Sequence, residues 1–288
     1  NAGPSGFCTE TRRSSRLLTG LIMTARFWGD LKSSDFATLS PDRTVAVLPL
    51  AAIEQHGPHL PVSVDTTVMN GMLAEAMPLV PVDLDVLVLP TQAVCKSNEH
   101  LHSPGTVTIG WECAIRSWLE IGESVKRAGL RKLVLVTSHG GNVDPMKIVA
   151  RELRVDHGML AVCTAWTSFG LPEGLYGELD VRHGIHGGDV ETSLMLHFRP
   201  DLVDMSKAAL FKPHTVTMAE EGYAHLRPTG PHAFAWMAQD VNRAGAAGDA
   251  TLATAKKGKA TAALQAKGFV ALMADVARMP LDTLYKAD

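Results

Sequence analysis

The sequence predicts an α/β chain whose mainly parallel sheet is covered by helices on both faces. Two observations carry that expectation: short aliphatic runs recur along the chain, and helical patterns alternate with them. Thr44 to Leu50 (TVAVLPL) is β-branched and aliphatic, as a strand buried on both faces must be. A polar, Pro-containing loop then leads to a helix from Asp65 to Met77. Leu84 to Leu89 (LDVLVL) reads as a second strand, ended by Pro90 and followed by a long polar loop to about Ile109. Trp111 to Ala128 has the spacing of an amphipathic helix closed by Gly129.

Lys132 to Thr137 (KLVLVT) is the clearest buried strand, and a helix from Asp144 to Val155 follows it. Met159 to Thr164 is a fourth strand. Helices from Asp189 to His197 and from Ala250 to Ala277 complete the pattern. Residues 201–245 are irregular and read as an insertion, a lid or an oligomer contact. With no internal repeat or low-complexity linker, residues 23–288 read as one domain. The segment 1–22 has three arginines before a short apolar run that Thr19 and Gly20 interrupt, so it is set aside as a tag or upstream extension.

Composition narrows the function. The chain has 288 residues, 46% hydrophobic and 20% charged, ordinary for a folded soluble protein. Lys+Arg 27 against Asp+Glu 30 gives a net charge of -3 with no basic run, which argues against nucleic acid and anionic membrane as partners. No apolar stretch approaches the roughly 18 residues of a membrane span. Cys8, Cys95, Cys113 and Cys163 are scattered without a Cys-x-x-Cys pair, so neither a disulfide framework nor a thiolate zinc site is expected, and a reducing cytoplasmic setting is. A small-molecule substrate suits this balance.

Three stretches carry the chemistry. Glu54-Gln55-His56-Gly57-Pro58-His59, with Asp65 soon after, directly follows the first strand, and open parallel sheets bind ligands beyond the carboxyl ends of their strands. In an extended segment Glu54 and His56 project to the same side. Carboxylate, imidazole and carboxylate together suit zinc, manganese or iron. Taken alone, the stretch also fits a solvated polar turn.

Ser138-His139-Gly140-Gly141-Asn142 ends the strand at Thr137, and the glycines let backbone approach a ligand closely while Asn142 is placed to cap the next helix. His186-Gly187-Gly188-Asp189-Val190-Glu191 opens a helix, with Asp189 as N-cap and Glu191 in the first turn, where the helix dipole favours a carboxylate. Helix capping alone would account for Asp189 and Glu191. Convergence of three such pieces on strand ends or helix starts is what points to a metal site.

These motifs resemble the creatininase family, which includes mycofactocin-processing peptidases and a pyrimidine formamide hydrolase. The match comprises Glu-x-His-Gly-Pro-His-Leu-Pro with Asp65 nine residues after His56, strand-His-Gly-Gly-Asn, and His-Gly-Gly-x-x-Glu-Thr-Ser. His102-Ser103-Pro104-Gly105-Thr106 is similar to the family's His-Phe-Pro-Gly-Thr, and Gly248-Asp249-Ala250 with Lys257-Gly258 to its C-terminal signature. The resemblance implies a three-layer αβα sandwich, a homo-oligomer from dimer to hexamer, and two divalent metal ions, Zn2+ first and Mn2+ or Fe2+ as alternatives. It implies that Glu54 and His139 hold one metal and His56 the other, that Asp65 bridges and Glu191 completes the set, and that His186 transfers protons.

His59 and Asn142 are candidates to support the ligands, and His102, Gly140 and Gly141 to support the site or contact substrate. Creatininase itself carries Tyr and Glu where this chain has Gly140 and Gly141, and a Trp-Asp-Ile-Glu-His run where this chain has Arg182-His183-Gly184-Ile185-His186. Another amide, formamide or lactam is therefore expected rather than creatinine. Two alternatives stay open: hydrolysis of a cyclic keto-sugar or lactone on the same metals, and a non-enzymatic metal or small-molecule binder.

Overall fold

A computed structural model describes residues 26–285 of the chain, so the segment 1–22 lies outside the described residues. A short strand β1 (Arg26–Phe27) precedes β2 (Val45–Leu50), α1 (Val64–Ala76), β3 (Val86–Val88) and α2 (Trp111–Arg127). β4 (Lys132–Thr137), α3 (Val143–His157) and β5 (Leu160–Ala165) follow. These strands form one sheet in the order β1-β3-β2-β4-β5, every pair parallel. The sequence showed four of the five strands; β1, at two residues, is too short to have a periodicity.

Alternation along the strands distributes side chains between two cores. Val45 and Val47 of β2 and Val134 and Val136 of β4 pack with α1 and with two later helices, α5 (Asp189–Phe198) and α8 (Ala255–Arg278). Ala46, Leu48, Leu133 and Leu135 face the opposite way, onto α2 and α3. The architecture is therefore a three-layer αβα sandwich, with β2 and β4 apolar on both faces as their sequences require. Pro49, inside central β2, has no N–H for the ladder; the odd residues of β2 bond towards β3, and Pro49 lies beyond the last residue of that strand.

The chain steps from β2 to β3 on one side, then returns to β4 on the other side of β2. That reversal makes the β2–β4 boundary a switch point, where loops diverge to opposite faces and leave a crevice at the carboxyl ends.

Residues 201–245 are less irregular than their sequence suggested. A short helix α4 (Glu178–His183) precedes α5, and β6 (Leu210–Phe211), α6 (His214–Glu220), α7 (Ala238–Val241) and β7 (Gly248–Asp249) follow it. α8 begins at Ala255 rather than Ala250, because a single 3-10 turn fills 250–252 and Thr254 caps the helix by accepting from the Lys257 amide.

The C-terminal Lys257-Gly258 pair braces the helix that carries Glu191. Asp189 is not the N-cap expected from sequence: Gly188 holds that position, and Asp189 is fully buried, paired with Lys257 Nζ and accepting from Ser193 Oγ at 3.0 Å. Gly258 lies against the Ser193 carbonyl so closely that a Cβ would overlap it. Lys257→Ala leaves a buried carboxylate unpaired and is expected to destabilise the fold by about 3–5 kcal/mol, read as a shift in the urea midpoint.

Candidate active site at the β2–β4 switch point

Glu54, His56, Asp65, His139, His186 and Glu191 meet in one place. The Glu54-Gln55-His56 segment leaves β2, Asp65 lies in the first turn of α1, His139 follows β4, and Glu191 lies in the first turn of α5. Glu54, His56 and Asp65 are almost wholly buried. Glu54, Asp65 and His139 form one group whose candidate ligand atoms all lie within 4.8 Å, and His56, Asp65 and Glu191 form another. Asp65 belongs to both: Oδ1 is 3.8 Å from His56 Nε2 and Oδ2 is 3.6 Å from His139 Nδ1.

Backbone carbonyls fix which ring nitrogens face this cluster. His56 Nδ1 donates to the Glu54 carbonyl at 3.0 Å, His139 Nε2 to the Lys96 carbonyl at 2.9 Å, and His186 Nε2 to the Gln55 carbonyl at 2.6 Å. Each ring therefore turns its other nitrogen inward, towards carboxylate oxygens. His56 Nε2 lies 3.9 Å from Glu54 Oε1 and 4.0 Å from Glu191 Oε2; His139 Nδ1 and His186 Nδ1 lie 3.2 and 3.7 Å from the same Glu54 oxygen.

Neutral imidazole lone pairs aimed at carboxylates repel unless positive charge sits between them. Glu54 Oε1, His56 Nε2 and Asp65 Oδ2 are buried without a hydrogen bond, the state of ligand atoms that await a cation. The donor set thus fits divalent metal ions.

The electrostatics agree. Burial would raise the Glu54 carboxyl, but His139, His186 and His56 outweigh it and hold it well below the usual range. Burial and the neighbouring Glu54 push Asp65 well above the usual range. Burial would lower His139, yet Glu54, Glu99 and Asp65 drive it well up, so the ring draws a proton into the position a cation would take. Burial and His186 hold His56 well down, and burial raises Glu191.

The supporting residues differ from expectation at three points. Asn142 occupies the N-cap position of α3, but its side chain makes no capping hydrogen bond; its Nδ2 donates to the Ala51 carbonyl at 2.9 Å and to Thr137 Oγ1 at 3.3 Å, tying the end of β4 to that of β2. His102 is exposed and is not among the residues lining the cleft, whereas His100, two positions earlier, is buried with Nε2 at 3.4 Å from Glu54 Oε1. Ser97 and Glu99 are the other residues the sequence reading passed over: Ser97 Oγ donates to Glu54 Oε2 at 2.5 Å, and Glu99 Oε1 lies 3.3 Å from His139 Nε2. Ser97-x-Glu99-His100 lies well inside the aperiodic polar loop after β3, so little in the sequence marks it.

His59 is buried, stacked on Phe211, with its Nε2 at 2.9 Å from Thr192 Oγ1 of α5. Gly140 and Gly141 line the cleft, as does His186. Gly187, at φ 61°, packs against the His56 carbonyl so closely that only glycine brings the two motif segments together.

The cleft measures about 1150 Å3, and its lining includes Pro228, Thr229, Gly230, Phe234 and Trp236 from the segment after α6. Part of the segment read as irregular therefore lines the site.

Burial holds His59 and His100 down to about 4, so both stay neutral in the fold through mildly acidic pH. The unfolded chain takes up those protons from about pH 6.5, hence stability is full above 6.5 and falls as pH drops towards 4. Melting temperature against pH should show that decline, with a shallower slope in His59→Gln. An identical slope would remove His59 from the cause.

The family model for creatininase, creatinine amidohydrolase, matches residues 29–273. A mycofactocin precursor peptide peptidase from Mycolicibacterium smegmatis is 33% identical over 218 residues, covering 75% of this chain and 78% of the relative. A creatinine amidohydrolase from Pseudomonas putida is 30% identical over 210 residues, 66% of this chain and 78% of that one. A Bacteroides fragilis structure assigned as a creatinine amidohydrolase shares the fold at TM-score 0.71 and 22% identity, over 91% of this chain and 99% of the other. The solved creatininases sharing it include one with manganese (TM-score 0.65, 24% identity, 89% and 100% covered) and one of Zn–Zn type (0.65, 25%, 88% and 98%). With the family model spanning most of its length and these relatives alongside, the chain belongs to the creatininase family of enzymes.

Proposed function

We propose that this chain is a metal-dependent hydrolase of a C–N amide bond. The observation that carries the reading is the pair of ligand groups sharing Asp65 at the β2–β4 switch point. Glu54 and His139 would hold one cation, His56 and Glu191 the other, and Asp65 both. Two divalent ions, when bound, would lower the pKa of water and polarise a carbonyl. Zn2+ is the first expectation, with Mn2+ or Fe2+ suited to the same donors.

The remaining steps belong to the chain's own residues. His186 keeps Nε2 on the Gln55 carbonyl, leaving Nδ1 to take a proton from the attacking water and pass it to the departing nitrogen. Ser97 Oγ donates to Glu54 Oε2, His100 Nε2 lies 3.4 Å from Glu54 Oε1, and Asn142 keeps the β2 and β4 loops together. Phe234 and Trp236 add aromatic surface to the cleft wall.

A formamide, cyclic amide or small linear amide fits this site. A cleft of about 1150 Å3 also exceeds the roughly 300–1000 Å3 of ordinary small-molecule pockets, which favours a peptide-like amide as the second reading. The proposal includes a cytoplasmic homo-oligomer, supported by family resemblance and by unpaired Cys95, Cys113 and Cys163 among the described residues. No helix among the described residues is long and apolar enough to cross a membrane.

The test is turnover on a panel of creatinine, formamides, short peptides and a lactone, with and without chelator. Amide cleavage that stops with chelation and returns with Zn2+ or Mn2+ is expected. Chelator-resistant cleavage would overturn the metal reading, and cleavage of the lactone alone would replace the C–N bond by C–O.

A further inference from the structure

We infer that Glu99 is a positioning residue: its carboxylate, behind His139, fixes the ring so that Nδ1 faces the metal cluster. The inference rests on the metal-hydrolase reading above and adds a part the sequence motifs did not contain.

The geometry is closed on every side. His139 Nε2 points away from the cluster, donating to the Lys96 carbonyl at 2.9 Å with Glu99 Oε1 at 3.3 Å. Glu99 is itself held, because Lys96 Nζ donates to its other oxygen at 2.7 Å. One short segment, Lys96 to Glu99, thus supplies both a carbonyl and a carboxylate to the outer edge of the ring. Such an arrangement locks tautomer and ring orientation together: the proton stays on Nε2 and the Nδ1 lone pair stays aimed at Glu54 Oε1 and Asp65 Oδ2.

Gly141 is the counterpart. A Cβ at position 141 would overlap both the Glu99 carboxylate and His139 Nε2, and would crowd the Lys96 carbonyl at 2.9 Å. Gly140, beside it, has open space, so the requirement for glycine is specific to position 141. Gly141 is therefore needed for the carboxylate to reach the ring, rather than for a turn; its φ is not in the left-handed region. Both residues also line the cleft, but Glu99 meets His139 at Nε2, the edge of the ring turned away from Glu54 and Asp65, so both act through His139.

The experiment is a Zn2+ titration of the full chain against a competing chelator, for the wild type and for Glu99→Ala, Glu99→Gln, Gly141→Ala and His139→Ala. Outer carboxylates of metal-bound histidines are worth about 10–100-fold in affinity. Glu99→Ala should weaken Zn2+ by that factor, Gln should fall between it and wild type because it still accepts a hydrogen bond, and Gly141→Ala should match Glu99→Ala. A Glu99→Ala/Gly141→Ala double variant, measured in the same titration, should bind no more weakly than either single one. Metal-free melting temperature controls for folding, and the Glu99→Gln arm preserves shape if Ala does not fold. Wild-type affinity in Glu99→Ala or Glu99→Gln overturns the inference while leaving the metal reading intact. A wild type that binds no Zn2+, or a His139→Ala that binds as wild type does, overturns the metal reading and the inference with it.

Discussion

Asp65→Ala is expected to lose both cations and with them all metal-dependent turnover. Asp65 is the residue that the two ligand groups have in common, with one oxygen towards His56 and the other towards His139. Removing it leaves each group with two of its donors. The loss should exceed the roughly 10²–10⁴-fold that a general acid–base contributes, since the activated water itself is affected. Misfolding can be separated from this outcome. Burial and Glu54 make the Asp65 charge unfavourable without a cation, so metal-free Asp65→Asn should be at least as stable as the metal-free wild type. Metal analysis beside a melting curve reads both, and a variant that keeps two metals per chain would refute the bridging role.

His186→Ala is expected to keep its metals and lose about 10²–10⁴-fold in kcat. The ring packs, tilted, against His56 and His100 at centroid distances of 4.0 and 4.4 Å, and its Nε2 is committed to the Gln55 carbonyl. Only Nδ1 is left for proton transfer, and it opens on the side of Glu54. A second outcome is equally readable, because Glu54, His56 and His186 also form a compact ligand group. Cation loss together with turnover would make His186 a ligand instead, and unchanged kcat would remove it from the chemistry.

Legibility in the sequence followed the range of the interactions. β2 and β4 were visible because burial on both faces needs an unbroken aliphatic run, and Val45 to Leu50 and Lys132 to Thr137 provide one. Glu54, His56 and His139 stood out because each follows such a run. The Ser97-Glu99-His100 support is not legible because its polar loop has no period, and its meaning lies in partners on other loops. Capping is the common local use of Asn and Asp at helix starts, but tertiary contacts take both side chains: Asn142, though at the N-cap, donates to the Ala51 carbonyl, and Asp189 pairs with Lys257.

The sequence by itself determined the α/β layering, the order of its main elements and the residue types able to hold divalent ions, since these depend on neighbours along the chain. Only the tertiary structure decided that Asp65 reaches both groups, which nitrogen each histidine turns inward, and that Glu99 stands behind His139. Those are contacts between residues as far apart as 43 positions for Lys96 and His139 and 131 for Gln55 and His186, and local periodicity has no way to encode them.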